Sequence, residues 1–206
     1  MHYKDWTALL PGDDVTIETG ETHLDGKVVG YGIHIARSDH GVSAALPKVT
    51  IESRTDGARH EFIASAEAEV TINERGSPGD LTEGFTHFSL DPLFEYGSGQ
   101  KALGLAWVLG ERADEALGEG DVVTYAAASS LVDRIRARHY EDIEHRERKG
   151  EIRPSHRQGV RYWQGLRHSA LGAAGAHEST LNALADKGDD RALDARRAMR
   201  GLPREV

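Results

Sequence analysis

The chain has 206 residues and a formal net charge of −9, from 25 lysines and arginines against 34 aspartates and glutamates. A chain of this length can bury a hydrophobic core without disulfides or metals to stabilise it. The absence of cysteine excludes disulfides, thiolate nucleophiles, cysteine zinc sites and iron–sulfur clusters. No apolar run is as long as a bilayer span, and the N-terminus lacks the apolar stretch of a signal peptide. We therefore expect a soluble acidic protein, cytoplasmic or inside a virion, that is not secreted through a signal peptide.

Residues 1–75 carry the pattern of short β-strands. Apolar and polar residues alternate from Val15 to Ile17, and Val49 and Ile51 share a strand face. The turn sequence Thr55-Asp56-Gly57-Ala58 is typical of a hairpin. Five or six short strands in about sixty residues predict a small antiparallel β-barrel or sandwich.

The beginning of this segment resembles SH3-like small barrels. A Pro11-Gly12-Asp13 turn leads into the strand from Asp14 to Ile17, and Gly26-Lys27-Val28-Val29 follows it. In SH3-like modules such a turn enters the first strand and a Gly-x-Val strand comes next. The resemblance covers about a third of the chain and implies a module that binds peptides, nucleic acid or neighbouring subunits. Fold alone does not choose among these partners.

The sequence predicts a connector over residues 76–99 and helices over 100–206. A stripe from Leu103 to Leu117 predicts one helix. Asp121 is expected to cap a second helix that runs to Arg148 and is ended by Gly150. At 1.5 Å per residue this helix would be about 40 Å long.

Three further helices are predicted beyond this long one. Ser155 is expected to cap the first, whose end is weakened by Gly172 and Gly175, and Thr180–Lys187 and Asp190–Arg200 form two shorter ones. The predicted fold class is therefore α+β, with a β-barrel-like module at 1–75, a connector at 76–99 and a helical domain at 100–206. Trp6, Trp107 and Trp163 are expected to anchor cores.

Charge is divided unevenly between the two parts. Residues 1–120 carry 9 basic and 21 acidic side chains, whereas residues 134–168 carry 10 basic and 5 acidic ones. Arginines four residues apart share a helix face and can follow a phosphate backbone, and aromatic side chains among them can stack on bases. The candidate residues for binding nucleic acid or a partner are Arg134, Arg138, Arg157, Arg161, Arg167, Tyr162 and Trp163.

Two other interpretations of this segment remain open. Acidic residues such as Glu141 and Glu144 alternate with the arginines, which is typical of a solvated, salt-bridged helix face. An acidic protein partner, including the first part of another copy of the chain, would fit the same arginines.

Catalytic signals are sparse. His139, Asp142 and His145 are weak candidates for metal ligands, because the two histidines, six residues apart, do not share a helix face. We predict no metal, no cofactor and no catalytic residue.

The leading hypothesis is a non-catalytic structural or interaction protein of an oligomeric assembly, without a membrane partner. A viral role, in a phage capsid or neck with the basic helices facing nucleic acid or an acidic subunit, fits it by analogy. The alternative is a DNA- or RNA-binding regulatory protein that uses the arginine-rich helices. A metal-dependent enzyme is the third hypothesis.

Overall fold

The computed structural model describes residues 6, 8–38, 41–64, 68–86, 99–153 and 159–200. The strands are β1 (Asp14–Glu18), β2 (His23–Ser38), β3 (Gly41–Ser53), β4 (Arg59–Ile63) and β5 (Glu69–Glu74). The helices are α1 (Pro78–Thr86), α2 (Gly99–Gly118), α3 (Val122–Arg148), α4 (Val160–Asp186) and α5 (Asp190–Arg200). The predicted α+β class is confirmed: a sheet of five strands precedes a helical part with a long helix.

The strands form one antiparallel sheet in the order β4-β3-β2-β1-β5. Neighbours along the chain pair from β1 to β4, and β5 returns to pair with β1. The sheet is not closed, because β4 and β5 remain its edges in the described part of the chain. Two strands are longer than predicted, since β2 has 16 residues and β3 has 13.

One face of the sheet packs on a hydrophobic core. Nine buried residues form it: Trp6, Leu9, Val15, Ile17, Val28, Val49, Ile51, Ala64 and Ala68. They come from alternate positions of β1 and β3, as period-two patterning requires, from Val28 of β2, and from segments that flank the sheet. The predicted role of Trp6 as a core anchor is confirmed.

The Pro11-Gly12-Asp13 turn joins this core to the start of β1. The amide of Gly12 donates to the Val28 carbonyl at 2.8 Å, and the Val28 amide donates to the Asp13 carbonyl at 2.8 Å. Gly12 has a φ of +90°, and a Cβ atom there would lie 2.5 Å from Asp80 Cβ. Only glycine satisfies both the conformation and the contact.

We expect Gly12→Ala to lower the free energy of unfolding by about 2 kcal/mol, because the substitution adds backbone strain and a steric clash. Gly20→Ala is the matched control, since no atom lies within 4 Å of a Cβ at that position. Urea unfolding followed by circular dichroism measures both variants. Equal stability of the two variants would contradict the assigned role of Gly12.

The helices begin and end largely where local signals place them. Asp121 caps α3, accepting a hydrogen bond from the Thr124 amide, and α3 ends at Arg148, with Gly150 at a φ of +72° just beyond it. α4 differs from the prediction, because it continues through Gly172 and Gly175 to Asp186 as one helix of 27 residues. The predicted cap Ser155 lies outside the described residues, and Gly159 stands at the N-cap.

The chain divides into two compact units, Met1–Ser89 with Arg197–Val206, and Leu90–Arg196. The predicted connector, 76–99, contains helix α1. None of the helices in the described ranges is long and apolar enough to cross a membrane.

Candidate interaction surface of the helical unit

The arginine-rich segment lies on two helices that pack antiparallel. Arg134 of α3 contacts Glu178 of α4, and Glu144, further along α3, contacts Gln164, which is earlier in α4. The two helices therefore run in opposite directions. Buried small residues occur on both helices, among them Ala127 of α3 and Ala174 of α4. Small side chains let the two helices approach closely, which brings the polar residues at the margins into hydrogen-bonding range.

Arg134 is held by a carboxylate on the neighbouring helix. Its Nε lies 2.7 Å from Glu178 Oε1 and its Nη2 lies 2.6 Å from the same oxygen. Ser130, which is fully buried, donates to this oxygen at 3.0 Å. The predicted phosphate-binding side chain therefore joins α3 to α4.

A second cluster surrounds Glu144, a buried carboxylate on α3. Arg148 Nη2 lies 2.5 Å from Glu144 Oε1, and Gln164 Nε2 donates to the same oxygen at 3.0 Å. Arg167 Nη1 lies 3.8 Å from Glu144 Oε2 and 3.4 Å from Glu141 Oε1. Arg138 also binds Glu141, at 2.9 Å. Both predicted arginines, Arg138 and Arg167, thus contact carboxylates of their own chain.

The predicted aromatic pair is partly buried beside the same cluster. Trp163 stacks on Tyr140, with ring centroids 6.1 Å apart, and its Nε1 donates to Glu147 at 2.9 Å. Tyr162 meets Trp163 edge to face at 5.0 Å. The rings therefore pack on each other and on α3, and the indole N–H is already hydrogen-bonded.

Arg161 differs from the arginines described above. Its side chain is exposed at the start of α4, and within the described ranges it has no carboxylate partner. Arg157 lies outside the described residues. The structure therefore brings Arg134, Arg138 and Arg167 into ion pairs and leaves Arg161 facing solvent.

The candidate metal ligands do not form a site. His139 is half-buried, and burial lowers the pKa of its imidazole, an effect that the nearby Asp142 partly offsets. Asp142 lies 3.9 Å from Arg146, and His145 is exposed. Among the residues that the structure describes, no group of three His, Cys, Asp or Glu side chains could hold a metal ion.

An exposed stripe of small residues on α4 was not predicted from the sequence. Its members recur at spacings of four and three residues and are all exposed: Gly165, Ser169, Gly172, Ala176, Ser179 and Ala183. We call them the outer stripe of α4. The regular spacing is visible in the sequence, but Gly172 and Gly175 within it favour the end of a helix.

A second missed feature is an exposed tryptophan on α2. The side chain of Trp107 is 66% exposed, which corrects its predicted role as a core anchor. Leu117, nearly three turns further along α2, is 56% exposed. The buried positions Ala106, Leu109 and Ala113 occupy the other side of the helix, so the stripe that packs inward does not include Trp107.

Asp121 joins the start of α3 to α5. Arg191 Nη2 donates to Asp121 Oδ2 at 2.6 Å, and the Thr124 amide donates to Oδ1 at 3.1 Å. Burial raises the pKa of this carboxyl, but hydrogen bonds from Arg191 and Thr124 lower it more, so the pKa lies below its ordinary value of 3.8. The carboxylate therefore stabilises the fold in its ionised form.

We expect Asp121→Ala to cost about 1 kcal/mol of stability at neutral pH, because it removes a helix cap and an ion pair. Asp121→Asn keeps a capping side chain and removes only the charge. The charge contributes fully above the unfolded-state pKa of about 4 and is lost as pH falls through the lower folded-state value. The stability gap between wild type and Asp121→Asn, measured by urea unfolding, should therefore close on acidification. A pH-independent gap would contradict this.

Comparisons with known protein families, with curated proteins and with solved structures find no match. The functional conclusion therefore depends on the residues and their geometry. Two features carry it: the internal pairing of the arginines, and the exposed outer stripe of α4.

Proposed function

We propose that this chain is a non-catalytic interaction protein that works in an assembly with other polypeptides. The observation that carries the proposal is the outer stripe of α4, which is exposed in the single chain although it has the composition of a buried helix face. A helix surface with few charged residues is typical of a side that packs against another element. In the described part of the chain, α4 packs on α3 with its opposite side, where residues such as Ala170 and Leu181 are buried.

The lack of charge on α4 supports this proposal. In a chain with 29% charged residues, the stretch 168–185 contains one, Glu178, and that side chain is bound by Arg134 and Ser130 of α3. Solvent-facing helix surfaces normally carry lysine, arginine, glutamate and aspartate at high density. Protein–protein contact surfaces are depleted of charge at their centre.

The contacts of the arginines favour assembly over the nucleic-acid alternative. Affinity for a phosphate backbone comes from cations that are available to neutralise phosphates. Arg134, Arg138 and Arg167 already neutralise carboxylates of their own chain, and phosphate binding would leave those carboxylates unpaired. The hypothesis of a metal-dependent enzyme gains no support from His139, Asp142 and His145.

We propose in addition that the sheet is an SH3-like module. The supporting feature is its topology, a meander in which β5 returns to pair with β1. Only residues 64–68 separate β4 from β5, so at about 3.5 Å per residue the two edges lie within roughly 20 Å of each other. A flat sheet of five strands is about as wide, so the segment from β4 to β5 would have to be fully extended to cross it. A curved sheet brings the two edges closer and removes that requirement. The viral role and the location in cytoplasm or virion stay predictions.

The test is the native mass of the full chain, measured by light scattering over a concentration series with and without added duplex DNA at about 50 mM salt. We expect a mass above that of the 22.5 kDa monomer, unchanged by DNA. A strict monomer up to several hundred micromolar would overturn the proposed function. Salt-sensitive binding of DNA to a monomer would favour the nucleic-acid alternative instead.

A further inference from the structure

We infer that an acidic face of α2, centred on a tryptophan, binds the cationic end of the helical unit of a second copy, so that copies join head to tail. The face is formed by Trp107, Glu111 and Asp114, and we call it the Trp107 face. The cationic end is formed by Lys149, Arg153 and Arg161. The inference rests on the proposed function and names one partner in the assembly as the chain itself.

The Trp107 face is the exposed side of α2. The side chain of Trp107 is 66% exposed, whereas Leu109 and Ala116 are buried on the opposite side of the helix. At about 100° per residue, Glu111 lies about 40° and Asp114 about 20° from Trp107 around the helix axis. Both carboxylates are exposed. An indole ring and two carboxylates therefore share one exposed face over two helical turns.

The chemistry of the Trp107 face fits a partner that carries lysine or arginine. Neither Glu111 nor Asp114 has an ion-pair or hydrogen-bond partner within the described ranges. Arg112 of the same helix pairs instead with Glu115, at 3.4 Å. A guanidinium or ammonium group is attracted both by the face of an indole ring and by carboxylates. Tryptophan is also among the residues that contribute most at the centre of protein contacts.

Three cations lie together where α3 ends and α4 begins. Lys149 and Arg153 follow α3, and Arg161 lies in the first turn of α4. The indole N–H of Trp163 donates to Glu147 at 2.9 Å, so the last turn of α3 lies beside the first turn of α4. The three cationic side chains are exposed, and none has a carboxylate partner within the described ranges.

Neighbouring carboxylates of the cationic end are already bound by other side chains. Glu151 lies 3.7 Å from Arg146, and Glu144 is bound by Arg148. The cationic end therefore keeps its positive charge, and a carboxylate that neutralises it has to come from elsewhere.

The two surfaces of one chain are too far apart to bind each other. α2 and α3 pack together across a turn of three residues, so they run in opposite directions. The Trp107 face lies alongside the first half of α3, whereas the cationic end follows the last residue of α3. At 1.5 Å per residue, about 25 to 30 Å separate them along the helix axis. A second copy is therefore the partner that supplies the complementary charges.

Electrostatics selects the head-to-tail arrangement. Two Trp107 faces brought together would oppose four carboxylates, and two cationic ends would oppose six cations. A two-fold contact through either surface is therefore disfavoured. A contact between two different surfaces leaves one of each kind free, so it continues into a ring or a filament.

Complementation between two variants of the full chain tests this contact. The face variant carries Trp107→Ala, Glu111→Gln and Asp114→Asn, and the end variant carries Lys149→Gln, Arg153→Gln and Arg161→Gln. All six positions are exposed, and far-UV circular dichroism checks that both variants fold like the wild type. Each variant keeps one surface intact, so a mixture can form the inferred contact once and cannot extend it. Glu119→Gln with Lys187→Gln is the matched control, because it removes exposed charges outside both surfaces.

Native mass by light scattering, over the concentration series used for the wild type, gives the readout. We expect each variant alone to self-associate about tenfold or more weakly than the wild type. The control variant should match the wild type, and an equimolar mixture of the face and end variants should form a dimer that does not grow.

The outcomes separate this inference from the proposed function. Self-association of both variants equal to that of the wild type would overturn the head-to-tail contact and leave assembly through another surface, such as the outer stripe of α4, standing. Variants that stay monomeric when mixed would overturn the contact as well, since the two surfaces would then not bind each other. If duplex DNA binds the wild type but not the end variant and no mixed dimer forms, the cationic end belongs to nucleic acid and the inference is wrong. A wild type that is strictly monomeric overturns both the inference and the proposed function.

Discussion

Replacing Asp13 by alanine is expected to lower the free energy of unfolding of the sheet by about 4 kcal/mol, because it removes a buried carboxylate with several donors around it. The side chain of Asp13 is 2% exposed. Its Oδ2 accepts hydrogen bonds from the Leu10 amide and Arg75 Nη1, both at 2.9 Å, and its Oδ1 accepts one from the Gly76 amide at 3.0 Å. The substitution leaves all three donors without that acceptor.

Asp13→Asn gives a sharper version of this experiment. It keeps the shape of the side chain but turns one acceptor into a donor that faces other donors, so we expect most of the loss to remain. Asp25→Asn, on the exposed side of β2, is the matched control and should cause a much smaller fall. Hydrogen exchange of the Val28 amide, which bonds the Asp13 carbonyl, reports on this part of the sheet. Protection equal to wild type in Asp13→Asn would contradict the assigned role.

The same residue shows what local sequence patterns can and cannot predict. Pro11-Gly12-Asp13 was identified as a turn before a strand, because those residue types favour turn conformations. The partners of its carboxylate, Arg75 and Gly76, are more than sixty residues away in the chain, and no local pattern connects them to Asp13. The turn was therefore predictable and its anchoring was not.

A bulge in β2 determines which of two adjacent valines faces the core. Val28 and Val29 are adjacent and equally apolar, so periodicity alone does not say which of them points to the core. The register of β2 against β3 passes from Val28 opposite Ile51 directly to Gly30 opposite Thr50, which leaves Val29 as an extra residue. Val28 is buried and Val29 only partly so. One extra residue changes the face of every following side chain.

The helices show the same division between local and long-range information. Asp121 and Gly150 mark the ends of α3 through short-range capping chemistry, and both were predicted. The continuity of α4 depends instead on packing against α3, through buried residues such as Ala174 and Leu181. That packing outweighs the cost of about 1 kcal/mol that each helix-interior glycine carries, so Gly172 and Gly175 do not end the helix.

The ion pairs of the candidate arginines could not be predicted for a related reason. The arginine rows were visible, but Arg134 and Glu178 are 44 residues apart, and only the packed helices show that they meet. Alternating charges along the sequence indicate ion pairs within one helix. The ion pair of Arg134 with Glu178 instead joins α3 to α4. Arg161 remains the exception, because its side chain is exposed at the start of α4.

Glu144→Ala is expected to destabilise the helical unit by about 3 kcal/mol, because a buried carboxylate that joins α3 to α4 disappears. Glu144 accepts hydrogen bonds from Arg148 and Gln164, and it lies 3.8 Å from Arg167, whose Nε has no hydrogen-bond partner within the described ranges. Without Glu144, the contact with Glu141 at 3.4 Å is the one that remains, among the carboxylates described, to offset the charge of Arg167.

A double-mutant cycle separates the contact between the helices from the general cost of truncation. Glu144→Ala, Gln164→Ala and the double variant should give a coupling energy of about 1 kcal/mol or more, since hydrogen bonds to a charged acceptor are the stronger kind. Glu151→Ala is the matched control, because its exposed ion pair with Arg146 at 3.7 Å contributes less than about 0.5 kcal/mol. Strictly additive losses would mean that the hydrogen bond from Gln164 to Glu144 contributes nothing to the contact between the two helices, and would contradict this prediction.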